Sequence, residues 1–232
     1  MTTHTIKDLS DFVRHSDGFN WLSSLMLFRG QPVKGNLLPG IARPNQTKNT
    51  AKLEQELLKQ LRLLGDSLLT SKHDNDLDAL VLAQHHRLPT RLLDWTSNPL
   101  VALWFACADS KPGDVYVYAL DADDLLHADV YDTKPFNPSA TRVFQPRLNN
   151  ARILAQHGWF TLHSYSTKVQ RFVPLELNPR ISPHLSEFLI PEKERSGLLT
   201  SLDCHGINHR TLYPDLEGLC RHLTWKNKLQ VN

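Results

Sequence analysis

The stretch HHRLPTRLLDWTSNPLVALWFA, residues 85–106, carries the reading on which the fold rests. Its second half opens with Asn98, a residue type that caps helices, and Pro99, whose missing amide costs nothing at the first helical position. Leu100-Val101-Ala102-Leu103-Trp104-Phe105-Ala106 is then apolar on every side. A helix without a polar face has to be buried, so a central helix is predicted from Leu100 to Ala108. The first half is dense in donors and acceptors. Arg91 and Asp94 can pair, and Thr96, Ser97 and Asn98 can cap the helix. Capping does not account for two histidines, two arginines and Trp95 crowding one helix start, where free amides favour an anion.

Outward from this stretch the pattern alternates between helix and strand. Upstream, a helix is predicted from Asn75 through Leu77, Leu80 and Val81 towards Gln84. Before it, Leu53, Leu57, Leu61, Leu64 and Leu68 recur at helical spacing with charged residues between them, which predicts an amphipathic helix packing its leucines into the core. Downstream, Lys111-Pro112-Gly113-Asp114 reads as a turn and Val115 to Leu120 as a strand. Phe160 to His163 and Arg171 to Leu177 are further strand candidates, and Asp121 to Asn150 reads as one long loop. Pro191 opens a charged helix that Gly206 ends, and Pro214 opens another with Leu216, Leu219 and Leu223. No βαβ rhythm or glycine-rich phosphate loop is present. The expectation is a single α+β domain over residues 1–232, with a small, split mixed or antiparallel sheet flanked by helices. Residues 1–20 form its lead-in and 191–232 its C-terminal helical part.

Composition narrows the function classes. With 41% hydrophobic and 22% charged residues the chain is ordinary globular material, and 232 residues can bury a sizeable core. A net charge of +2 does not by itself argue for nucleic acid. Cys107, Cys204 and Cys220 lie far apart and are read as buried free thiols of a reducing compartment. The N-terminus MTTHTIKDLS lacks the apolar core of a signal peptide, and no apolar run of about 18 residues exists. A cytoplasmic protein with no membrane partner is expected.

A second polar position stands out at Arg29, which follows Leu25-Met26-Leu27-Phe28 and precedes Gly30. Its planar fork of donors suits a phosphate or carboxylate, or an internal acidic partner that fastens a strand end. Gly30 lets the backbone turn sharply or approach a ligand. A metal site at His85, His86 and Asp94 ranks last, because adjacent histidines on a regular element point apart; no metal is expected.

The triplet Phe28-Arg29-Gly30, with Leu38-Pro39, Arg43, Glu54, the run Ala83 to Thr96, then Ala102, Phe105 and Ala106, resembles the FRG domain family. Arg152, Gln156, Gly158 and Phe160 are similar to that family's later motif. The resemblance implies an FRG domain of bacterial or phage type, in a conflict, toxin or phage-defence setting. A second resemblance is to ADP-ribosyltransferases of the arginine, serine, glutamate type. Arg29-Gly30 looks like their first element, and Thr96-Ser97 followed by Ala102, Phe105 and Ala106 like their second. This implies a fold of that kind with NAD or a related nucleotide as ligand and substrate. Arg29, Ser97 and Gln156 would be catalytic, and Gly30, His85, His86, Arg91, Asp94, Trp95, Thr96 and Arg152 would bind substrate. The third element departs from that pattern: Gln156 stands where a glutamate is expected and cannot supply negative charge. Glu176 is a conceivable substitute, although a lone strand carboxylate is usually a solvated edge residue. Arg152 and Gln156 also admit a structural reading, closing a polar network against Asp94, with Gly158 as a turn glycine. The alternative to an enzyme is a non-catalytic module recognising a nucleic acid, a nucleotide signal or a partner protein.

Overall fold

The structure is a computed structural model that describes residues 1–20, 23–68, 75–109, 111–127, 129–147 and 150–228. Residues 229–232 of the expected C-terminal helical part lie outside the described residues. In chain order the elements are β1 (Thr2–Thr5), α1 (Leu9–Asn20), β2 (Met26–Gln31), α2 (Ala51–Leu64), α3 (Asp76–His85), β3 (Leu92–Thr96), α4 (Pro99–Cys107), β4 (Val115–Asp121), β5 (Arg142–Phe144), α5 (Ala151–Ala155), β6 (Gly158–Leu162), β7 (Tyr165–Ser166), β8 (Arg171–Phe172), β9 (Leu185–Ile190), α6 (Glu192–Cys204), α7 (His209–Leu212) and α8 (Leu216–Lys226). The fold is α+β. One mixed sheet has the order β1-β9-β4-β2-β3-β6-β5, antiparallel except where β1 runs parallel to β9, and β7 and β8 form a separate pair.

The central helix forms where the sequence predicts it. The Asn98 side chain accepts from the amides of Leu100 at 3.0 Å and Val101 at 3.4 Å, with Pro99 opening α4. Val101 to Trp104, Ala106 and Cys107 are buried against Phe28, Val117 and Phe188 on one face of the sheet. Arg195 on α6 closes the other end, donating to the carbonyls of Cys107 at 3.2 Å, Gly113 at 3.1 Å, Lys111 at 2.6 Å and Asp109. A cation there complements the helix dipole. Gly30 fixes how close α4 lies to β2: a Cβ at Gly30 would fall 1.9 Å from the Ala102 carbonyl oxygen. The close approach that this glycine serves is thus to helix backbone. Strand alternation sends Leu27, Leu93, Trp95, Tyr118 and Leu120 to the opposite face, where Leu37, Leu175 and Ile181 cover them.

Several expectations are corrected. The leucine stripe of α2 faces the core only in part: Leu61 packs against it, but Leu64 is 76% exposed and Leu68, beyond the end of the helix, 82% exposed, and the buried positions of α2 are Glu54 and Leu58. Glu54 turns inward because it answers a buried arginine, which outweighs the pull of the leucines. Arg171 to Leu177 is strand only at Arg171–Phe172; Leu175–Leu177 is a 3-10 turn. The segment before α4 contains a strand of the main sheet, β3, and the loop from Asp121 to Asn150 contains β5. Of the three cysteines Cys107 alone is buried, its thiol pushed up to about 12 by desolvation; Cys204 and Cys220 are exposed on α6 and α8. Among the described residues no helix is long and apolar enough to cross a membrane.

Candidate functional site

β2 pairs with β4 along its whole length, from Met26↔Asp121 to Gln31↔Tyr116. With β3, on its other side, it shares the single register pair Phe28↔Thr96. Beyond that pair the two central strands part, and a cleft of about 380 Å³ opens between Arg29 and Gln31 on β2 and Asp94 on β3. The end of α3 contributes Gln84, His85 and Arg87 to its wall, and Phe105, Arg152, Gln156 and Tyr213 come from the helical side.

Arg29 bridges the gap. Its Nη1 donates to the Asp94 carbonyl oxygen at 2.8 Å, a ladder acceptor that β2 has left open, and lies 3.8 Å from Asp94 Oδ2. Nε donates to Gln31 Oε1 at 3.3 Å. The Arg29 side chain is 14% exposed and that of Asp94 56%. Desolvation lowers the guanidinium to about 10, opposed by Asp94 and assisted by Arg43, so it remains a cation at neutral pH. Asp94 is held from the other side as well: Thr90 Oγ1 donates to Gln84 Oε1 at 2.8 Å, and Gln84 Nε2 donates to Asp94 Oδ2 at 3.0 Å. A carboxylate fixed by an amide that is itself fixed keeps one orientation towards the cleft.

His85 has its tautomer set in the same manner. Asn150 Oδ1 accepts from the Arg152 amide at 2.8 Å, which leaves Asn150 Nδ2 to donate to His85 Nε2 at 3.2 Å. Burial, His86 and Arg152 all hold the His85 imidazole below its usual range, against Asp94. Arg152 gives Nε and Nη2 to Asp215 Oδ2 at 3.1 and 2.6 Å and stacks 5.3 Å from the Tyr213 ring centre. Gln156 Nε2 donates to the Leu212 carbonyl at 3.0 Å. Neither Arg152 nor Gln156 bonds to Asp94, whose side-chain partners are Gln84 and Arg29.

Of the residues singled out in the sequence, Arg29, Gly30, His85, Asp94, Trp95, Thr96, Arg152 and Gln156 line this cleft. Arg91, Ser97 and His86 do not. Alternation along the β3 segment explains the absence of Arg91 and the direction of the Trp95 side chain. Arg91 and Trp95 share the parity of Leu93, so Arg91 is buried against Glu54, and the Trp95 indole sits in the core, donating to Thr161 Oγ1 at 3.1 Å. An indole spent in this way is not free to stack on a ligand. Ser97 is exposed, and its amide donates to the His157 carbonyl at 3.1 Å. His86 is exposed with its ring centre 5.1 Å from that of His85. Thr96 is buried, and its hydroxyl accepts from the Asn98 amide at 3.0 Å.

Glu176 is neither a solvated strand residue nor a wall of the cleft. It binds the amides of Asn36 and, at 3.1 Å, Leu37, pinning the loop that follows β2. The turn assigned to Gly158 falls on His157, with φ 49°, while Gly158 begins β6. Sequence reasoning assigned no role to Gln84 or Tyr213. Gln84 lies within the motif run, but Tyr213 reaches the cleft through tertiary packing that no local signal announces. Among the described residues no three His, Cys, Asp or Glu side chains converge as metal ligands would.

Residues 24–114 match the family model of the FRG domain. No curated protein and no solved structure matches the chain. The matched segment runs from just before β2 to the turn preceding β4, so it supplies Arg29, Gln84 and Asp94, while Arg152, Gln156 and Tyr213 come from the chain beyond it.

Proposed function

We propose that this chain, which carries an FRG domain over residues 24–114, is an ADP-ribosyltransferase-like protein that takes NAD or a related nucleotide into the cleft between β2 and β3. The observation that carries this reading is the parting of the two central strands, with a cation on one lip and an oriented carboxylate on the other. Arg29 offers a charged guanidinium to an anionic or hydroxyl-bearing ligand. In transfer from NAD the bond between ribose C1′ and the nicotinamide nitrogen breaks, its electron pair leaves with nicotinamide, and C1′ gains positive charge. A fixed anion stabilises that charge. Gln156 is neutral and its amide is engaged with Leu212, so Asp94 takes this part, held in place by Gln84. Thr96 and Gln156 line the pocket around the ribose, and His85 lines it as a neutral imidazole whose Nε2 accepts from Asn150 and whose Nδ1 therefore carries the proton.

One observation favours the second reading, a recognition module that holds a nucleotide without turnover: among the described residues no glutamate lines the cleft. Thermal shift with NAD and ADP-ribose, paired with a nicotinamide-release assay, separates the readings, because a ligand that binds the native state alone raises its stability. A shift with release supports the transferase. A shift without release supports the module, and no shift with any nucleotide removes both.

A further inference from the structure

Arg87 occupies a position that glycine suits best, as do His157 after α5 and Lys228 after α8. The amide of Arg87 donates to the Gln84 carbonyl at 3.0 Å, and that of Leu88 donates to the Ala83 carbonyl at 2.9 Å. This pair of bonds ends α3 in a Schellman motif whose first residue past the cap is Arg87, in the left-handed region with φ 66°. A side chain at such a position is strained where glycine is not. Arg87 is exposed, and no hydrogen bond or ion pair joins its side chain to another described residue. The other two arginines on the cleft wall are engaged, Arg29 with the Asp94 carbonyl and Arg152 with Asp215. Arg87 and Arg152 line the same end of the cleft, beside Tyr213, and also face a smaller recess there that Asp215, Glu217 and Arg221 line as well.

A strained backbone carrying an unpartnered cation into a cleft is a local departure from folding preference that function accounts for. We propose that Arg87 is the anion anchor of the site, the residue that meets the diphosphate of a bound nucleotide, with Arg152 beside it and Arg29 reserved for the far end near Asp94. The inference rests on the nucleotide reading above and adds the placement of the ligand's charged part.

The test is calorimetric titration of ADP-ribose into the full chain and its Arg87→Gly and Arg87→Lys variants, with unliganded melting temperatures measured in parallel. Glycine suits the left-handed position, so Arg87→Gly melts at or above wild type while its affinity for ADP-ribose falls at least tenfold. Arg87→Lys retains most of the affinity. If wild type binds ADP-ribose and Arg87→Gly binds it equally well, the anchor is overturned and the nucleotide reading stands. A clear drop in the unliganded melting temperature of Arg87→Gly also overturns it, since the arginine would then be structural. If wild type binds no ADP-ribose, both fall together.

Discussion

Removing the Glu54 carboxylate tests the buried junction between α2 and β3. Glu54 is 1% exposed and Arg91 is fully buried. The carboxylate accepts from Thr50 Oγ1 at 2.8 Å, from the Arg91 amide at 2.8 Å, and from Arg91 Nε and Nη2 at 2.9 and 2.7 Å. With Glu54→Ala the guanidinium keeps the Phe136 carbonyl as a partner but no counter-charge. Breaking a buried pair in this way costs about 3–5 kcal/mol, a large part of the roughly 5–15 kcal/mol by which a domain is stable. The double variant Glu54→Leu with Arg91→Met removes both charges and is expected to lose far less than Glu54→Ala alone. Urea unfolding of wild type, Glu54→Leu, Arg91→Met and the double variant closes the cycle. A Glu54→Ala loss below about 1 kcal/mol, or additive single losses in the double variant, would refute the account of α2 as a helix that turns its carboxylate inward.

Three further outcomes are expected. Gly30→Ala sets a methyl group against two backbone atoms of α4, the Ala102 carbonyl oxygen at 1.9 Å and the Ala106 nitrogen at 2.5 Å. It should cost at least the upper end of about 1–3 kcal/mol in urea unfolding; a near-neutral result would mean that α4 slides freely on β2. Burial, aided by Arg29, Arg91 and Arg43, lowers His163 from 6.5 to about 3. The unfolded chain therefore takes up that proton first, and stability is lost as pH falls below about 6.5, at roughly 1.4 kcal/mol per pH unit; the slope should flatten in His163→Gln, and equal slopes would contradict the assignment. Arg29→Ala should lose only about 1–2 kcal/mol in the unliganded chain, because its partners are a carbonyl, the Gln31 amide and a half-exposed carboxylate; a loss above about 4 kcal/mol would make it a structural arginine.

Elements with strong local signals were legible in the sequence. Asn98-Pro99 and the apolar run behind them placed α4 to within a residue, and Lys111 to Asp114 marked the turn before β4. What failed depended on tertiary partners. Periodicity found α2 but only part of its buried face, because the value of an inward Glu54 appears only once Arg91 is known to be buried beside it. β9 was missed since Glu187, fully buried and bound by Tyr118 and Thr3, interrupts its apolar pattern. β3 hid inside a segment read by its polar content. Without its period-two alternation, Arg91 was grouped with Asp94 although the two lie on opposite faces. Arg29 and Asp94 were each legible as unusual, but their meeting at the parting of two strands follows from sheet order.

The central claim is that the gap between β2 and β3 is a nucleotide site. Calorimetric titration of ADP-ribose into wild type and Arg29→Ala addresses it most directly, since Arg29 spans that gap. The account predicts saturable one-site binding to wild type, weakened at least tenfold in a folded Arg29→Ala. Undiminished binding to the variant, or no binding to wild type at millimolar ligand, would contradict it.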